Sequence, residues 1–198
     1  MVLSRRREPG GSVAGGWLLV GVAGVGFQVV HLFEHLLQLG YWGLHPAEPP
    51  WLTPWAAAGR DILAVGGHPS TGSELLHLLG NLIFLVGVVG LWGFTTRSGV
   101  PSVRLTALRA AFLVQSFHVG EHVLLTVSWI LAGEALGFST LFGSLSGPAL
   151  FTFRIWWHFL INLAGTALAV RALFKFGAVP DAVRLAVRPG LVVRRASE

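Results

Sequence analysis

Cysteine is absent from this 198-residue chain, and Met1 is its only methionine. Disulfides, zinc ribbons, iron–sulfur clusters and soft thiolate or thioether copper(I) sites are therefore excluded, and any metal must be held by nitrogen and oxygen. Charge is scarce as well. Asp, Glu, Lys and Arg make up 12% of the residues, against roughly 25% in soluble domains. Hydrophobic residues make up 53%, and the mean hydropathy is +0.67. A lipid bilayer is the expected solvent. The formal net charge of +5 does not point to nucleic acid, because the basic residues sit at the ends of apolar runs and in the tails, without aromatic residues interleaved.

Four apolar stretches, 16–39, 73–94, 105–131 and 150–174, are long enough to cross a ~30 Å hydrocarbon core, which takes roughly 20 helical residues. Pro46, Pro49, Pro50, Pro54 and Pro69 crowd the first connection, and Arg97, Ser98, Gly99 and Pro101 mark the second. The expected fold is an all-α, integral membrane four-helix bundle. A basic N-terminus (1–15) and a basic tail (176–198) flank the four-span domain (16–175). Arg5, Arg6 and Arg7, then Arg97, Arg104 and Arg109, then Arg171, Lys175, Arg184, Arg188, Arg194 and Arg195 put both termini and the second connection in the cytoplasm by the positive-inside rule. A cleaved signal peptide over 5–30 is the rival reading, and the lack of a small-residue cleavage site at the right distance counts against it. The segment 180–189 reads as a short amphipathic helix or a solvated basic tail.

The chain also repeats itself. Gln28, His31, Glu34, His35 and Trp42 recur as Gln115, His118, Glu121, His122 and Trp129, each 87 positions on, so both copies read Q-x-x-H-x-x-E-H. His77 and Asn81 recur as His158 and Asn162 at a shift of 81, both as H-x-x-x-N-L. Repeat 1 spans about 16–94 and repeat 2 about 104–175. Each holds two spans, so the copies share one orientation and should be related by a pseudo-two-fold axis along the membrane normal. The copies are imperfect: Leu125 stands where Gln38 would recur, and Ile155, beside Arg154, stands where Glu74 would.

Residues three, four and seven apart share a helix face, so Gln28, His31, His35 and Gln38 form one stripe, with Glu34 at its margin. Gln115, His118, His122 and Thr126 form its counterpart, and Glu74, His77, Asn81, His158 and Asn162 supply the returning helices. A charged group at mid-bilayer costs ~2.5 to 3.5 kcal/mol, so the stripes should face one another in the outer half of the bilayer. The expected metal ligands are His31, Glu34, His35, His77, His118, Glu121, His122 and His158, with Gln28, Glu74, Asn81, Gln115 and Asn162 supporting them. For any one of these residues, hydrogen-bonding between helices is a sufficient explanation; for the whole set it is not. His45 and His68, on the long first connection, are metal relays or simply solvated.

The set resembles the logic of ferritin-like dinuclear sites in architecture alone. The local order here, H-x-x-E-H, is reversed, and histidine is richer, so iron does not carry over from that likeness. The same five residues match the inverted zinc-protease pattern, in which Glu34 or Glu121 would be a general base. The favoured expectation is an enzyme: a metal-dependent membrane oxidoreductase with a dinuclear centre of iron or copper, zinc being chemically admissible. It would act alone, with a membrane redox partner, or as part of a larger membrane complex. The alternatives are a haem b electron-transfer subunit, with Gly21, Gly24, Gly26, Gly87, Gly90 and Gly165 making room for the macrocycle, a zinc-dependent membrane hydrolase, and a metal or proton transporter. The largely apolar inner halves of the spans, such as 17–26 and 82–94, count against transport.

Overall fold

The computed structural model describes residues 10–46, 48, 51–98 and 105–176, so the tail 180–189 lies outside the described residues. Those residues form five α-helices and no strand: α1 (Gly10–Leu44), α2 (Pro54–Ile62), α3 (Pro69–Arg97), α4 (Thr106–Ala132) and α5 (Gly147–Lys175). Short 3-10 turns lie at Val65–Gly67 and Phe138–Thr140. Four helices, α1, α3, α4 and α5, are long and apolar enough to cross a membrane, at 27 to 32 residues each. The chain is thus a multi-pass membrane protein by the length and composition of its helices.

Local chemistry sets several of the boundaries. The Thr53 side chain accepts the Ala56 N–H at the start of α2, and Pro54 opens that helix, where a missing N–H costs nothing. Pro69 opens α3 in the same way. Gly133 ends α4 in the left-handed region at φ 70°, its N–H bonded to the Trp129 carbonyl. Two boundaries differ from the sequence expectation. α1 runs to Leu44 rather than stopping near residue 39, and the first connection holds a helix of its own, α2, that packs on α3.

α1 packs against α3 and α5, and α4 packs against the same two helices. Between α1 and α3 the backbones approach closely because glycines face each other there. A Cβ on Gly24 would lie 2.5 Å from the Gly87 Cα, and one on Gly90 would lie 2.7 Å from the Gly21 nitrogen. These four glycines therefore make a helix contact rather than room for a macrocycle. The surface is inside out by soluble standards: Val30, Phe33, Val86, Leu113, Phe117, Leu131 and Phe174 are all exposed, as a lipid solvent allows.

The interior is divided along its length. Toward the end where α1 begins and α5 ends, Leu18, Val25, Phe84, Val88, Leu91, Leu108, Ala111, Ala169 and Ala172 form an apolar cluster. Toward the end that carries α2 and the second 3-10 turn, the buried residues are polar: Gln28, His35, Glu74, Asn81, Gln115, His118, Glu121, His122, His158 and Asn162. Phe84, fully buried, meets Gly165 at the boundary, where an added Cβ would stand 3.2 Å from its ring.

Candidate metal centre

The polar half begins with amides. Asn81 donates to the His77 carbonyl at 2.9 Å and Asn162 to the His158 carbonyl at 2.8 Å, each one helical turn back. Both Oδ1 atoms are left free to accept from a neighbouring helix. Gln28 of α1 donates to Asn162 Oδ1 at 2.7 Å, and Gln115 of α4 donates to Asn81 Oδ1 at 2.8 Å. The same bond thus recurs at positions related by the shifts of 87 and 81. Each such contact is worth ~0.6 kcal/mol in a membrane.

On this layer the imidazoles gather. His31 and His35 approach Nε2 to Nε2 at 3.2 Å, and His118 and His122 do the same at 3.2 Å. The rings of His77 and His158 lie between these pairs. Their centroids are 5.6 Å apart, with His77 at 5.6 Å from His35 and 5.3 Å from His122, and His158 at 6.1 Å and 5.1 Å from the same two rings. All six rings therefore form one cluster, drawn from four helices. Two nitrogens each ~2.0–2.1 Å from one ion, at a near-tetrahedral angle, stand about 3.3 Å apart, close to the separation within each pair.

Hydrogen bonds fix which nitrogens are free. The Nδ1 atoms of His77 and His158 each donate at 2.8 Å to a carbonyl one turn back, those of Ser73 and Arg154. A carbonyl only accepts, so Nδ1 carries the proton in both rings and Nε2 keeps its lone pair. His158 Nε2 is buried without a hydrogen-bond partner. An orphaned lone pair among imidazoles is a ready metal ligand. Ligand nitrogens of His118, His122 and His158 lie within 4.8 Å of one another, and this triad could hold an ion.

Behind the rings sit two different acceptors. His122 Nδ1 donates to Glu74 Oε2 at 3.2 Å, and Arg154 donates to the other Glu74 oxygen. His35 Nδ1 instead faces Gln38 Oε1 at 3.1 Å, and the Gln38 amide nitrogen donates to Glu34, which fixes the amide's orientation. Leu125, where the second Gln38 would stand, is buried beneath Gly137 of the connection between α4 and α5.

Glu34 and Glu121 are placed otherwise than expected of ligands. Glu34 accepts from the Thr53 N–H and hydroxyl and from the Trp55 indole, holding the start of α2. Glu121 accepts the Ser139 N–H at 2.6 Å and the Trp157 indole N–H at 2.8 Å, holding the α4–α5 connection to α5. Both carboxylates are thus bonded to the connections that flank the histidines. No spacing in the sequence announces Thr53, Trp55, Ser139 or Trp157 as their partners. His45 stacks on Tyr41 and lies 3.5 Å from Glu48, and exposed His68 caps α3 through its backbone carbonyl, so neither is part of the cluster.

A cavity of about 700 Å³ leads to the cluster between the connections. His35, His77, His158, Glu74 and Arg154 are among its lining residues, and Trp51, Trp129 and Phe151 form apolar parts of its wall.

The match of residues 6–189 to the model of a family of unknown function, DUF6008, defines the class: the chain belongs to that family. No curated protein and no solved structure matches it.

Proposed function

We propose that this protein is a membrane oxidoreductase whose four spanning helices form a bundle of two parallel repeats, related by a pseudo-two-fold axis along the membrane normal, around a dinuclear metal centre. One ion would be held by His118, His122 and His158, the other by His31, His35 and His77. The observation that carries this reading is the convergence of six imidazoles, with paired Nε2 atoms at 3.2 Å and an orphaned His158 Nε2. The recurring Gln–Asn bonds support the symmetry.

The donor set favours copper over iron. With Glu34 and Glu121 occupied elsewhere, three neutral imidazoles remain per ion, a set that copper binds more strongly than the other first-row divalent metals. Held by these histidines, such a pair of ions would supply redox chemistry to a small substrate that reaches them through the cavity. The rival functions each lack a part. A zinc hydrolase needs a carboxylate base at the ion, and both candidates hold loops. A transporter needs a polar path onward, and the apolar cluster fills it. A haem needs space that the glycines give to helix contact. The basic helix ends orient the centre toward the extracytoplasmic side.

Metal analysis of the detergent-purified protein, expressed with added copper, tests this. About two copper ions per chain are expected, falling to one or fewer in His118→Ala and His158→Ala. A metal-free protein, or one whose metal content is indifferent to these substitutions, would overturn the proposal.

A further inference from the structure

We infer that the two metal positions divide the work: the His118/His122/His158 position is closed and tight, and the His31/His35/His77 position is where an outside ligand binds. This rests on the dinuclear reading and adds to it where chemistry takes place.

The first argument is the acceptor behind each pair. A carboxylate that takes the proton of a ligating imidazole makes the other nitrogen a stronger donor and fixes the ring, and losing such a partner typically costs 10- to 100-fold in metal affinity. His122 has this partner in Glu74, itself held by Arg154. His35 has only the Gln38 amide. Exact symmetry would give His35 a glutamate at position 155, but that residue is Ile155, and its neighbour Arg154 serves Glu74 instead. The departure from the repeat therefore strengthens one position and leaves the other weaker.

The second argument is access. His118 and His122 are fully buried and do not line the cavity, whereas His35 and His77 do. His158 lies on the boundary, belonging to the closed triad while one side of it meets the cavity. The cavity wall is apolar at Trp51, Trp129 and Phe151, carries the charged residues Arg60, Glu74, Glu134 and Arg154, and has histidines at its floor. Its ligand is accordingly a small molecule with a lone-pair donor at one end.

The test uses the metal-free full-length protein, titrated with cobalt(II) as a spectroscopic probe and then exposed to azide. The first equivalent should bind at least tenfold more tightly than the second. Azide should leave the one-equivalent spectrum unchanged and shift the two-equivalent spectrum. Glu74→Gln should weaken the first equivalent 10- to 100-fold and spare the second. His31→Ala should keep the first equivalent while losing the second and the azide response. An azide shift at one equivalent, or a Glu74→Gln effect confined to the second, overturns this assignment with the metal reading intact. Failure to take up cobalt at all overturns the metal reading, and this inference with it. The azide measurement on the unaltered protein stands whether or not any variant folds.

Discussion

Glu121 takes two donors at once, the Ser139 N–H and the Trp157 indole, in a buried place. Replacing it by glutamine keeps the volume but leaves one of those donors facing an amide NH2 group. Hydrogen bonds to a charged group are worth about 1.5–3 kcal/mol, so Glu121→Gln should lower the melting temperature in detergent by roughly 3–8 °C. Its metal content should equal that of the unaltered protein, because the carboxylate does not reach for the ion. Loss of metal without loss of melting temperature would return Glu121 to the ligand set. The reason the sequence does not separate a ligand from a loop anchor at this glutamate is angular. At 100° per residue, Glu34 sits about 80° from the mean direction of Gln28, His31, His35 and Gln38. From that margin a side chain can turn inward or outward, and spacing along one helix cannot say which. The two outward partners, Thr53 and Ser139, lie 19 and 18 residues away on connections whose course the periodicity does not encode. The histidines were more legible, because their spacing alone puts them on one stripe and the repeat alone puts the stripes at one level.

Between elements, the α1–α3 contact is tightly constrained, since backbone meets backbone with no side chain between. Gly24→Val inserts three carbons where the Gly87 Cα leaves no space, and the helices must part. Overpacking of this kind costs about 1–3 kcal/mol, and more where backbone has to move. Gly26→Val is the matched control, since a Cβ there meets nothing within 4 Å. Gly24→Val is expected to fall out of solution or to melt at least 5 °C lower in the same detergent. Gly26→Val is expected to behave as the unaltered chain. Equal behaviour of the two would mean that the helices do not meet through Gly24. The four long helices could be read from hydrophobic length, but the partner of each glycine could not, because length says nothing of which face meets which. α2 was missed for a related reason: nine residues rich in alanine among prolines carry too little periodicity to separate a short helix from a loop.

For the molecule as a whole, the distribution of basic residues gives an expected orientation in the membrane. Among the described residues, Arg97 lies in the last turn of α3, Arg109 near the start of α4, and Arg171 and Lys175 in the last turns of α5, so they gather at the end away from α2. Arg60 and Arg154 lie toward the other end, and each is engaged by a carboxylate, Asp61 and Glu74. The rule counts Lys and Arg whether or not a carboxylate lies beside them, and four of these six cations lie at the first end, which therefore carries the bias that orients the helices during insertion. That end, with the termini, should be cytoplasmic, and the cavity over the histidines should open on the opposite side. The absence of cysteine makes this directly measurable, because any introduced thiol is the only one in the chain. Ser4→Cys lies near the N-terminus and Ser144→Cys on the exposed connection between α4 and α5. On intact cells, a membrane-impermeant maleimide should label Ser144→Cys and spare Ser4→Cys, and both should react once the membrane is opened. Labelling of Ser4→Cys alone would turn the molecule over. The metal centre would then face the cytoplasm, where reducing conditions hold copper as copper(I), and a two-electron oxidant would have to be sought inside the cell rather than outside.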